Sequence, residues 1–217
     1  MCSSDLVAAV TDNLSQLLPD AVRTMFPEGE RFFINCVRDF RDQVRDPELQ
    51  QEIKDFIRQE GQHGIVHNQF NDRLRAQGID VDAIERLERG FFDGYLRKWI
   101  PKKHTLALTA ASEHMTAIMA HSFFEKKEVL ASADARMRAM YAWHAMEEIE
   151  HKAVAFDVYK LSGGSERLRT FTMNLLTFGF IAGMTVQVII SLLGDRETFR
   201  RGRLRRRPGA VARWPAG

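Results

Sequence analysis

Two glutamates, each followed three residues later by a histidine, stand out in this 217-residue chain: Glu60-x-x-His63 and Glu148-x-x-His151. On a helix, side chains three apart leave one face about a turn from each other, so each pair can converge on one ion. A lone glutamate precedes each pair, Glu30 by 30 residues and Glu113 by 35, close to one antiparallel return of a helix pair. One Glu-x-x-His match would carry little weight in a chain rich in both residues. Two matches, each behind a single glutamate at hairpin distance, form a specific constellation.

The elements that must position these residues are helices. Leu, Ala, Glu, Arg and Met are plentiful while Gly and Pro are sparse, and no strand-like alternation runs for any length. Pro27, Asp46-Pro47, Gly78, Asp80, Pro101, the stretch 132–134 and Gly163-Gly164 supply starts and stops. Four long helices are predicted over 25–45, 47–77, 102–131 and 134–162, with a shorter one over 81–98 joining two hairpins. The expected fold is an all-α, ferritin-like four-helix bundle with a crossover helix and an additional apolar C-terminal helix.

On each long helix a 3-4 spaced stripe should face the core. The first reads Glu30, Phe33, Val37, Phe40, Val44; the second Leu49, Ile53, Phe56, Glu60, His63, His67, Phe70, Leu74. The third reads Leu106, Ala110, Glu113, Ala117, Ala120, Phe124, and the fourth Met137, Tyr141, His144, Glu148, His151, Ala155, Val158. Ionisable groups thus interrupt every apolar seam. Four ionised carboxylates in one core are untenable without neutralisation, and two divalent cations carry the matching charge. Carboxylate oxygen with imidazole nitrogen suits iron or manganese, with zinc an alternative and calcium a poor match. Iron is the expected metal.

The expected donors are Glu30, Glu60, His63, Glu113, His144, Glu148 and His151. Among them Glu60 with His63 and Glu148 with His151 each anchor an ion, and Glu30 and Glu113 bridge or complete the site. His144 lies one turn before Glu148 and can reach the cluster from below. His67, one turn after His63, is as well read as a hydrogen-bonded core histidine as a ligand. Glu147 and Glu150 point off the stripe and read as solvated or outer carboxylates. His104, His114 and His121 are out of register, and Asp39, Asp42, Asp55 and Asp157 read as surface charge.

The segments FPEGERFF (26–33), QEGQHGIVH (59–67), ASEHMTA (111–117) and WHAMEEIEHKAVAF (143–156) resemble a bacterial family called predicted metal-dependent hydrolases, of the ferritin-like clan. The resemblance covers about 20–165 and implies that Glu30, Glu60, His63, Glu113, Glu148 and His151 are metal positions. The spacing His144-x-x-x-Glu148-x-x-His151 is also similar to that of the di-iron p-aminobenzoate N-oxygenases, whose extra histidine binds iron. That similarity strengthens His144 as a ligand. Analogy with the fold favours an oxygen-activating oxidase or oxygenase acting on a small molecule, an apolar one among the options, with dioxygen and an electron donor. The rivals are a two-metal hydrolase and a non-enzymatic metal-binding or membrane-attached bundle. A homodimer is compatible with all three.

Composition bounds the rest. With 45% apolar and 28% charged residues the chain is ordinary for a globular protein. Its net charge of +2 hides an asymmetry: 196–217 hold eight Arg against one Glu, so 1–195 have a net charge of −5. An acidic body argues against nucleic acid as a partner. Cys2 and Cys36 are too few for a disulfide framework or a Cys-ligated metal, and Cys36 reads as a buried apolar residue. No basic-then-apolar leader opens the chain, which makes the cytoplasm the expected location. Residues 170–194 lack a formal charge and are long enough to cross a bilayer, to lie on one, or to pack as a fifth helix. The expected domains are a bundle over 1–165, an apolar helix over 166–195, and an Arg-rich disordered tail over 196–217.

Overall fold

The computed structural model describes residues 26–76, 80–125 and 135–194, and among these there is no strand. By compactness the chain divides into residues 22–179 and a second unit made of 1–21 with 180–217. The first unit is an all-α bundle. Of the second, the described residues 180–194 are the later turns of the last helix. The Arg-rich tail lies outside the described residues, as does Cys2.

Helix α1 covers 26–38, not the whole of 25–45. Its end tightens into i→i+3 bonds, Phe40 N–H to Val37 O at 3.1 Å and Gln43 N–H to Phe40 O at 3.0 Å, giving a 3₁₀ turn at Arg41–Gln43. This sharper path still delivers Phe40 and Val44 to the core. Helix α2 is Pro47–Ala76 and starts where Asp46 Oδ1 accepts from Glu48 N–H. Asp80 caps α3, Val81–Arg89, by accepting from Ala83 N–H at 3.0 Å. The crossover is not one regular helix, as expected over 81–98, because a π-helical stretch at Gly90–Leu96 separates α3 from the short α4, Arg97–Trp99. There Phe92 packs on Phe32 of α1 with ring centroids 5.0 Å apart. Helices α5, Lys102–Glu125, and α6, Ala135–Leu161, form the second hairpin.

Side-chain pairs fix the helix directions. Phe56 meets His151, Gln59 meets Glu150 and Glu147, and His63 meets Trp143, so α2 and α6 run antiparallel. Along α1 the partners ascend with the crossover: Glu28 to Arg89, Arg31 to Asp93, and Asp39 to Arg97 and Lys102. Lys103 Nζ reaches Gly163 O at 3.4 Å, tying the start of α5 to the end of α6. The apolar core joins Val37, Ile53, Phe56, Leu106, Ala155 and Tyr159. Cys36 is fully buried, as its sequence reading expects.

α6 stops on a Schellman turn. Gly163 has φ +74°, Gly164 N–H reaches Tyr159 O and Gly163 N–H reaches Lys160 O, each at 3.0 Å. Gly164 also lies flat against the Tyr159 ring. After it comes α7, Glu166–Gly194, whose Leu168 packs on the core and whose Thr172 is buried. Its first turns therefore join the bundle as a fifth helix. Among the described residues no helix is long and apolar enough to cross a membrane, so the bilayer-crossing alternative finds no support.

Candidate metal centre

Every one of the seven expected donors, together with His67, is buried at one level of the bundle, none more than 9% exposed. α1 supplies Glu30, α2 supplies Glu60, His63 and His67, α5 supplies Glu113, and α6 supplies His144, Glu148 and His151. Their positions follow from the stripes, since the apolar residues above and below them, such as Val37, Phe56, Ala110 and Ala155, pack as the periodicity requires.

Two groups of donor atoms lie within 4.8 Å of one another: Glu60, His63, Glu148 and His151, and Glu30, His63, His144 and Glu148. His63 and Glu148 belong to both. His151 Nδ1 is 2.8 Å from Glu60 Oε1 and 3.9 Å from Glu113 Oε2. His63 Nδ1 is 3.5 Å from Glu148 Oε1 and 3.9 Å from Glu60 Oε2. His144 Nε2 lies 2.9 Å from Glu148 Oε1, and His67 Nε2 lies 3.2 Å from Glu30 Oε1.

Around this cluster sits an outer layer. Glu147 Oε2 accepts from His63 Nε2–H at 2.8 Å. Gln59 bridges to the other motif histidine, its amide oxygen accepting from His151 Nε2–H at 3.2 Å while its amide nitrogen donates to Glu147 Oε1 at 3.1 Å. Both imidazoles are thereby held from outside with Nδ1 turned to the carboxylates, the orientation a metal-binding histidine needs. The off-stripe reading of Glu147 is therefore correct and its role as an outer carboxylate follows. Gln59 escaped notice because its partners lie about 90 residues away and an amide beside Glu60 carries no signal of its own. His104, His114 and His121 are exposed, as expected from their register.

The family described as predicted metal-dependent hydrolase matches residues 10–215. The chain belongs to this family. No curated protein and no solved structure matches this metal-dependent hydrolase family member, so the likeness to p-aminobenzoate N-oxygenases gains no further support.

The electrostatics of this hydrolase-family centre test whether metal ions fit it. Burial, then the charges of neighbouring glutamates, pushes the carboxyls of Glu30, Glu60 and Glu113 well above the ordinary range. Both oxygens of Glu30 and of Glu113, Oε2 of Glu60, and Nδ1 of His63 and His151 are buried without a hydrogen bond. Burial, reinforced by His144, lowers His63 to about 3, and burial lowers His151 to about 4, so both imidazoles stay neutral and keep a lone pair. Burial alone would raise Glu148, but the hydrogen bond and charge of His144 bring it down to about 2. Unpartnered carboxylate oxygens facing neutral imidazole nitrogens are an unfavourable interior by themselves and a suitable one for divalent cations. The residues fit a dinuclear site.

The walls are aromatic. Phe56 stands edge-on to His151, Trp143 edge-on to His63, and Phe26 stacks on His67 at 4.7 Å. On the outside, a groove of about 290 Å³ is lined by Glu52, Asp55, Gln59, Glu150 and His151 together with the apolar Phe56, Ala153 and Val154.

Proposed function

We propose that this chain is a hydrolase working with two divalent ions held by Glu30, Glu60, His63, Glu113, His144, Glu148 and His151. The observation that carries this reading is the overlap of two donor groups through His63 and Glu148, which would let the residues hold two cations side by side. Such a pair supplies an acidified water and an electrophilic clamp for the leaving oxygen. The protein's own contribution is placement: Glu147 and Gln59 hold the two motif histidines in one tautomer, and the aromatic walls exclude bulk water. The groove beside His151 suits a small substrate. Its rim of Glu52, Asp55 and Glu150 favours a neutral or cationic ester or amide and disfavours an anion.

The donor chemistry favours oxygen activation by two iron ions as a second reading. Four carboxylates and the histidines come from four helices, and the donors are so thoroughly buried that a diatomic gas reaches them more easily than a bulky ester. Metal content and two assays separate the possibilities. Full-length protein should bind two ions per chain, and Glu60→Ala and Glu148→Ala should each lose stoichiometric loading. Hydrolysis of neutral ester or amide probes by zinc- or manganese-loaded protein without oxygen supports the first reading. Rapid oxygen uptake by ferrous-loaded protein, with no hydrolysis under any metal, supports the second. Normal loading in both variants would overturn both.

A further inference from the structure

Helix α3, the π-helical stretch and α4 follow one another without a gap from Val81 to Trp99. The inner side of this crossover is engaged with α1, where Phe92 packs on Phe32, Arg89 pairs with Glu28 and Asp93 pairs with Arg31. Its outer side carries Leu87, Phe91, Tyr95 and Trp99, each four residues from the next and each 51–76% exposed. A spacing of four keeps them in one row, and the rings of Phe91 and Tyr95 stack along it at 6.3 Å. Gly90 and Gly94 are exposed beside the row. Neither is needed for backbone shape, since Gly163 alone among the described residues has a positive φ, and a Cβ on either would meet nothing within 4 Å of its own chain. Glycine inside a helix costs stability, and one use that offsets the cost is the close approach of another molecule.

We infer that this face is a self-association surface, on which the crossover of a second copy packs antiparallel. The two ends of the crossover carry opposite charge. Residues 80–89 hold Asp80, Asp82, Glu85 and Glu88 against Arg86 and Arg89, a formal charge of −2, whereas 97–103 hold Arg97, Lys98, Lys102 and Lys103 with no acid, a formal charge of +4. A two-fold axis near Asp93 lays the acidic start of each crossover along the basic end of the other. The same axis sets Leu87 opposite Trp99 of the second copy and Phe91 opposite its Tyr95. At about 200 Å² for a large side chain, the row offers roughly 500 Å² of apolar surface. The glycines and the charged rim extend it toward the ~800 Å² per partner of a stable interface.

Sedimentation equilibrium of the full-length protein over a wide concentration range should show a monomer–dimer equilibrium. Phe91→Glu and Tyr95→Glu should each weaken it by about 10-fold or more, whereas Leu175→Glu, on the exposed side of α7, should leave it unchanged. Thermal scans of the three variants confirm that each still folds. Cysteine cross-linking reads the direction of pairing, in a Cys2→Ser background with Cys36 buried. Leu87→Cys mixed with Trp99→Cys should form a disulfide-linked dimer under mild oxidation, and neither variant should do so alone. A monomer at every concentration would leave the row to a segment of the same chain or to another protein and overturn the inference. Association that both glutamate variants leave intact, or links formed within each cysteine variant alone, would overturn it as well.

Discussion

Nε2 of His63 lies 2.8 Å from Oε2 of Glu147, a carboxylate on the facing helix that stays outside the donor cluster. Glu147 therefore acts on any ion only through the imidazole it holds. Glu147→Gln and Gln59→Ala should weaken metal binding by about 10- to 100-fold without removing a ligand. Isothermal titration of both variants with Zn²⁺ checks this; an affinity equal to that of the wild type would show that the histidines need no outer support.

Metal uptake should release protons. Glu30, Glu60 and Glu113 are held well above the ordinary carboxylate range, so in the metal-free protein they keep protons at pH values where an exposed glutamate has lost its own. His63 and His151, at about 3 and about 4, are already neutral and contribute none. A cation must displace those carboxyl protons, so affinity rises with pH. Titrations in buffers of different ionisation enthalpy should give at least one proton released per chain near pH 6, and a value of zero would contradict the burial argument.

A second buried carboxyl lies away from the centre. Burial, then the charges of Glu28 and Glu85, raises Glu88 to about 7, while Arg89 and Arg75 pair with those two neighbours and not with Glu88. Between the ordinary carboxylate value and about 7 the folded chain holds more protons here than the unfolded chain. Its stability contribution is therefore present at low pH and lost as pH rises through about 7. Glu88→Gln should remove this slope and add on the order of 1 kcal/mol at pH 8. Urea denaturation of metal-free protein at pH 5 and pH 8 measures it.

The turn after α6 gives a packing prediction. A Cβ on Gly164 would sit 2.3 Å from the Tyr159 ring, which is fully buried and whose hydroxyl donates to Ser165 O at 2.8 Å. Gly164→Ala should cost about 1–3 kcal/mol, lowering Tm by roughly 3–10 °C. Gly61→Ala, in the middle of α2 with nothing within 4 Å, should be neutral or raise Tm. Thermal scans of the two variants compare close approach with open space.

The buried cluster was legible because a charged residue on an apolar stripe conflicts with its surroundings, and four helices sharing one core bring such residues together. Glu30, Glu60, Glu113 and Glu148 could be read this way from the sequence alone. Gln59 could not, since its role depends on His151 and Glu147 across the bundle and its own position is unremarkable for a polar residue. The π-helical stretch at Gly90–Leu96 was equally hidden, because nothing in GFFDGYL distinguishes an extra residue per turn from an ordinary helix. The early end of α1 was missed for a related reason. Phe40 and Val44 keep the 3-4 spacing although the backbone between them has tightened. Spacing reports which side chains reach the core, not the path that takes them there.

The division of donors between the two hairpins bears on how the protein is made. A ribosome releases Glu30, Glu60 and His63 well before the chain reaches Glu113, and domains begin to organise as they emerge. An ion captured early can meet only these three of the seven expected donors. The other four, ending at His151, close the cluster about 90 residues after His63. Occupancy of the complete centre therefore waits on synthesis of α6.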